Sequence, residues 1–148
     1  MSVLKASRTA QYALWAEFTW NYNDTAVDTV AGTSKTFGST FGDNLVFDCI
    51  PLPPNATVVG GELVVETAYA GPTAATVSIG DSVSATRYGS TVDMKTAART
   101  ALTLTGFRGA GENIRITQNV TVANATAGKV TLRVAYVVQS RAQETQIA

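Results

Sequence analysis

The side chains that most often do chemistry are scarce in this chain. There is no histidine, which removes imidazole general-base catalysis, the histidine-dependent Ser and Cys nucleophiles and the commonest zinc ligand. The one cysteine, Cys49, lies in the alternating stretch NLVFDC beside Phe47. Nothing nearby would lower its pKa, so a buried, inert thiol is expected. The acidic residues of NYNDTAVDTVAG (Asp24, Asp28) and FGDNLVFD (Asp43, Asp48) lack the ligand spacing of a calcium loop. Asp24 and Asp43 suit turns, where Asp bonds its own backbone. A carboxylate pair for glycoside hydrolysis needs two acids brought together in space, and no spacing in the chain specifies one. GFRGAGENIR (106–115) has three glycines, but no Lys-Ser or Lys-Thr follows and no helix opens after it, so it reads as a hairpin tip rather than a phosphate loop. The sequence therefore predicts no catalytic residue, no metal site and no cofactor. The residues suited to partner contacts are Arg87, Tyr88 and Arg108, because Arg and Tyr are enriched at interface hot spots. Trp20 shares a face with Phe18 and Tyr22 and belongs to the core. Trp15 stands where that alternation begins and fits either core or interface.

The elements that must position these residues are strands. Residues of alternating character recur along the chain, the signature of half-buried strands. In EFTWNY, Phe18, Trp20 and Tyr22 oppose Glu17, Thr19 and Asn21. In NLVFDC, Leu45, Phe47 and Cys49 oppose Asn44, Val46 and Asp48. ELVVETAY places Leu63, Val65, Thr67 and Tyr69 on one face. Val77 and Ile79, Ile114 and Ile116, and Val120 and Val122 mark three more strands. KVTLRVAYVV turns Val130, Leu132, Val134, Tyr136 and Val138 inward. Gly, Pro and Asn turns separate these runs. About eight short strands predict an all-β, jelly-roll-like antiparallel sandwich. TVDMKTAART (91–100) is either one short helix or an ordered crossing loop. In IPLPPNATVVGGELVVETAY (50–69) the prolines end a strand and stiffen a crossover, and Gly60-Gly61 marks a bend or bulge.

The totals set bounds on partners. The chain of 148 residues is one domain in size, with polar arms at 1–11 and 139–148 that are either frayed ends or segments that order on a neighbouring subunit. Lys plus Arg equals Asp plus Glu, eleven each, which argues against nucleic acid as a partner. No apolar run suits a membrane span, and the start lacks a signal-peptide pattern. One cysteine forms no intrachain disulfide, so folding in a reducing, soluble compartment is expected. The N-x-T sequons at Asn23, Asn55, Asn119 and Asn124 are then chance products of a Thr-rich chain.

AEFTWNYNDT, FDCIPLPPNATVVGGELVVETAYAGPTAATVSIGDS, DMKTAARTALT and ATAGKVTLRVAYVV together resemble the jelly-roll cement, or decoration, proteins of tailed, short-tailed bacteriophages. The similar segments run from Ala16 to Val138. The resemblance implies a non-enzymatic protein made in the bacterial cytoplasm that binds the outside of an assembled head. It would bridge major capsid proteins and work as a homo-oligomer, a dimer before a trimer. The family has no catalytic residues to carry over. The contact candidates remain the N-terminal arm, Trp15, Arg87, Tyr88 and Arg108. The competing expectations are a head- or tail-fibre component and a carbohydrate-binding β-sandwich.

Overall fold

Period-two patterning turns into strands almost wherever it occurs. The computed structural model describes residues 7–9, 12–40, 44–139 and 143–145, the first and last of these segments as backbone alone. The strands are β1 (Ser7–Thr9), β2 (Leu14–Asn21), β3 (Thr25–Val27), β4 (Ser34–Thr36), β5 (Leu45–Ile50), β6 (Ala56–Ala70), β7 (Ala74–Gly80), β8 (Gly89–Asp93), β9 (Arg99–Ala101), β10 (Ile114–Thr121), β11 (Ala127–Val138) and β12 (Gln143–Thr145). Two four-stranded antiparallel sheets, in the orders β2-β11-β6-β9 and β5-β10-β7-β8, face each other. Two small ribbons, β3-β4 and β1-β12, complete the molecule.

The order of the eight main strands is nested. The outermost two in sequence, β2 and β11, pair, as do β5 with β10, β6 with β9, and β7 with β8. The β11-β6 and β10-β7 ladders complete the sheets. A long hairpin rolled up on itself has this order, and it defines the jelly roll. Because successive strands alternate in direction, the connections sort to two poles. The 51–55, 81–88 and 102–113 connections lie at the terminal pole, where the chain also enters β2 and leaves β11. The described residues 22–40 and the 71–73, 94–98 and 122–126 connections lie at the far pole.

The inner faces build one core. Trp20, Leu63, Val65, Tyr69, Val77, Ile79, Ile114, Ile116, Val130, Leu132 and Val134 are all buried in it. Trp20 stacks beside Phe18 and Phe37. Its indole N–H donates to Gln118 Oε1 at 3.0 Å, and Gln118 Nε2 donates to the Phe37 carbonyl. Both sheets are thus joined through a satisfied polar link.

The structure corrects several expectations. Residues 91–100 hold no helix. Met94 is buried and links the sheets, its N–H bonding Ala75 O and its carbonyl accepting from Tyr69 N–H, each at 2.9 Å. Alternation is lost at both ends of the pattern: Thr67 is exposed, and Val122 lies in a turn rather than on an inner face. The proline segment makes the crossover between sheets, whereas β6 stays paired with β11 along its whole length. The double glycine marks a bulge, where the register slips between Ala135 and Tyr136. Gly61 has φ 145°, and a Cβ there would strike the Arg133 carbonyl and, at 2.8 Å, Leu102 Cδ1. Asp43 and most of both arms lie outside the described residues.

Candidate interaction surface

The terminal pole is held rigid by its own side chains. Asp81 follows β7 and caps the next turn: its Oδ1 accepts from Val83 N–H at 2.9 Å and Ser84 N–H at 2.8 Å. Its Oδ2 accepts from Arg87 Nε at 2.5 Å. The guanidinium lies 3.5 Å from the centre of the Phe107 ring, so one arginine ties the 81–88 and 102–113 loops. Burial would raise the Asp81 pKa, but the Arg87 guanidinium and the two N–H donors hold it below the usual carboxylate value. Asn55, at φ 66°, donates its N–H to Gly109 O at 2.8 Å and accepts from Gln139 N–H at 3.1 Å. The proline loop, the glycine loop and the exit of β11 are therefore stitched together. Between them lies a cavity of about 10 Å³ bordered by Pro53, Asp81, Tyr88, Phe107 and Glu112, enough for one water.

The expected contact residues separate on this frame. Arg87 is committed to Asp81 and Phe107. Tyr88 is 4% exposed and packs in the core, so its side chain faces inward rather than toward a partner. Trp15 is 66% exposed on the outer face of β2. Its neighbours across the ladder are the small residues Ala135 and then Gly60, of which Ala135 is buried. Arg108 is exposed and bridges Thr57 through the backbone, and Thr57 is opposite Val137. That places Arg108 one row beyond Trp15 on the same sheet. Among the described residues, Arg87, Arg99, Arg115 and Arg133 each hold a carboxylate, whereas Arg108 holds none. Tyr12, Leu14, Val59, Val83 and Leu104 add exposed apolar surface at this pole. Single exposed apolar residues are ordinary, but a concentration of them at one end marks an interaction site.

Below this rim the same sheet carries charges that neutralise one another. Arg133 Nε reaches Glu17 at 2.7 Å and its Nη1 reaches Glu62 at 3.2 Å. Arg99 pairs with Glu62 from the opposite side, so one row of ion pairs spans all four strands. Lys129 meets Glu66 at 2.9 Å, and Thr131 Oγ1 donates to Glu66 at 2.7 Å. The Arg99 bond foremost, with Arg133, lowers the Glu62 pKa; Lys129 and then Thr131 lower that of Glu66.

No protein-family model matches the chain, and no curated protein does. Two solved structures share its fold. A chain in the acid-stable capsid structure of Helicobacter pylori bacteriophage KHP30 superposes with a TM-score of 0.64 over 98% of this chain and 100% of that one, at 17% identity. A chain of the cyanophage Pam1 capsid asymmetric unit gives 0.56 over 93% and 94%, at 23% identity. At these identities the likeness establishes the shared sandwich.

Sequence reasoning missed a second buried charge. Asp28 is 1% exposed; its Oδ1 accepts from Val30 and Ala31 N–H at 2.8 and 2.7 Å, and its Oδ2 from Lys35 Nζ at 3.1 Å and Val46 N–H at 2.9 Å. This cluster pins the β3-β4 ribbon to the edge of β5. The available signal was an Asp two and three residues ahead of turn amides, with a Lys on the returning strand. Asp48 pairs with Arg115 at 2.6 Å. Asp24 likewise has a local structural partner, accepting from Asn21 N–H at 2.7 Å. Cys49 is partly buried, its thiol pointing to Ile114 O at 3.4 Å. Burial pushes its pKa up to about 12.

Proposed function

We propose that this chain is a phage head cement protein, which binds the outside of the assembled capsid and bridges major capsid proteins. The observation that carries this is the end-to-end match of both partners in each comparison: the chains in the KHP30 and Pam1 capsid structures coincide with this one over 93% or more of its length. The match is to whole chains of similar extent, so the capsids hold a counterpart of this entire sandwich rather than a fragment of something larger. The terminal pole supports the reading from a different direction. A stitched frame presents Trp15 at one edge of the sheet and the unpaired Arg108 beyond the other, with β11 and β6 between them on the same outer face; both are residue types that anchor interfaces. The adjoining neutralised ion-pair face has no strong field to attract nucleic acid.

The mechanism is linkage. A ligand that binds only the assembled shell stabilises it in proportion to affinity and concentration, and a dimer that touches two subunits gains effective concentration at the second contact. The test is to heat heads made with and without this chain and follow DNA release. Heads with the chain are expected to hold their contents to a higher temperature; identical release curves reject the proposal. Light scattering at micromolar concentration is expected to give a dimer.

A further inference from the structure

Val122 sits at the far pole, between β10 and β11, and three of its properties work against the fold. Its φ is 74°, a left-handed conformation that a β-branched residue enters only with steric strain. The Ala123 N–H donates to Thr121 O at 2.9 Å, so Val122 is the central residue of a three-residue turn of the strained hand. Its side chain is 83% exposed, so it adds almost nothing to the core.

The surroundings hold this strain in place without relieving it. Thr121 O also accepts from Thr73 N–H at 3.1 Å, and Thr121 Oγ1 accepts from Ala74 N–H at 3.1 Å. Beyond the turn, Asn124 Oδ1 accepts from Thr40 N–H at 2.9 Å, and Ala125 N–H donates to Gly38 O at 2.7 Å. The other two non-glycine residues at positive φ have local reasons. Asn55 is of a type that tolerates the region, and Thr91 N–H bonds Ser78 Oγ at 3.0 Å. Val122 has neither reason. A glycine would adopt the same turn without steric conflict. The isolated domain gains nothing from a valine here.

We propose that Val122 is a contact knob whose isopropyl group enters an apolar recess on a coat subunit of the shell, at the pole opposite Trp15 and Arg108. This rests on the cement reading and extends it, because a bridge needs two separated contacts and the terminal pole supplies one. Around the knob Gly71, Thr73, Ala74 and Asn124 are exposed and small, and the Lys95 ammonium borders them, donating to Thr73 O at 3.2 Å.

The test compares wild type with Val122→Gly and Val122→Ala, by thermal unfolding of the free chain and by co-sedimentation with stripped heads of the phage that encodes it. Glycine removes both strain and knob: its Tm is expected to rise by roughly 2–5 °C while head binding weakens by roughly tenfold or more. Alanine removes the knob and keeps the strain: no rise in Tm is expected, with a similar loss of binding. Heads bound equally by wild type and both variants overturn the contact and leave the cement reading standing. A wild-type chain that does not bind heads overturns both.

Discussion

Asp28 keeps its negative charge with almost no water contact, and four donors make that tolerable. Burial on its own would raise its pKa; the backbone N–H groups of Ala31 and Val46, the Lys35 ammonium and the Val30 N–H outweigh it and bring the value from 3.8 to about 2. A carboxyl whose folded pKa is depressed stabilises the fold fully above its unfolded pKa and loses that contribution as pH falls through the folded one. The Asp28 contribution, on the order of 2 kcal/mol, is therefore present at pH 5 and lost between about pH 4 and pH 2, which urea denaturation across that range would register. Asp28→Asn leaves Lys35 facing an amide and turns an NH2 group toward at least one backbone donor. It is expected to lower stability by about 3 kcal/mol at pH 7, measured by the same denaturation. Cys49 gives the opposite kind of titration. With its thiol pushed up to about 12, it is expected to resist alkylation at pH 8 until the protein unfolds. The inert thiol was legible in NLVFDC because the alternation placed it on a strand beside Phe47. The Asp28 cluster was not, because its donors come from Lys35 and Val46, which only the folded ribbon brings together.

At the scale of elements, β6 shows what a period-two pattern conveys and what it omits. Leu63, Val65, Thr67 and Tyr69 read as one face; Leu63, Val65 and Tyr69 are buried, whereas Thr67 is exposed. Gly60-Gly61 read as a bend, and the register slip lies there. The reason for glycine became visible only with the neighbours in place, since the Arg133 carbonyl and Leu102 fill the space of a Cβ at Gly61. Gly61→Ala must therefore displace β11 or the residues after β9. It is expected to cost about 2–4 kcal/mol, read as a fall in Tm with an unchanged β-type circular dichroism spectrum. The 91–100 segment was ambiguous because its helix-forming residues carry no amphipathic stripe, and tertiary bonds through Met94 decide its path. The alternation of NVTV extends the expected strand to Val122. A two-residue alternation at the end of a strand cannot distinguish another strand residue from the first residue of a turn. The β1-β12 ribbon escaped notice for a different reason: its residues are polar on both faces, so no pattern marks it. In that ribbon Arg8 pairs with Glu144 through the backbone ladder.

For the whole molecule, the surface of one pole separates contact from framework. Trp15 is mostly exposed and Arg108 holds no carboxylate, so Trp15→Ala and Arg108→Ala are expected to leave stability within about 0.5 kcal/mol of wild type. Under the cement reading each weakens head binding several-fold, measured by co-sedimentation. Arg87→Ala, by contrast, unties two loops and strips Asp81 of its partner, so its effect is expected in stability, with a fall in Tm. The jelly-roll order also assigns strand separations: β7 and β8 meet after a short loop, while β2 and β11 meet only when nearly the whole chain lies between them.

That nesting has a mechanical consequence. The two ends of the sandwich are adjacent antiparallel strands, so a pull applied through them opens the β2-β11 ladder one rung at a time, at low force. A pull from pole to pole runs along every strand and must shear whole ladders at once. A tie anchored at Trp15 on one side and Val122 on the other would carry tension in the direction in which this sandwich is stiff, and its termini would carry none.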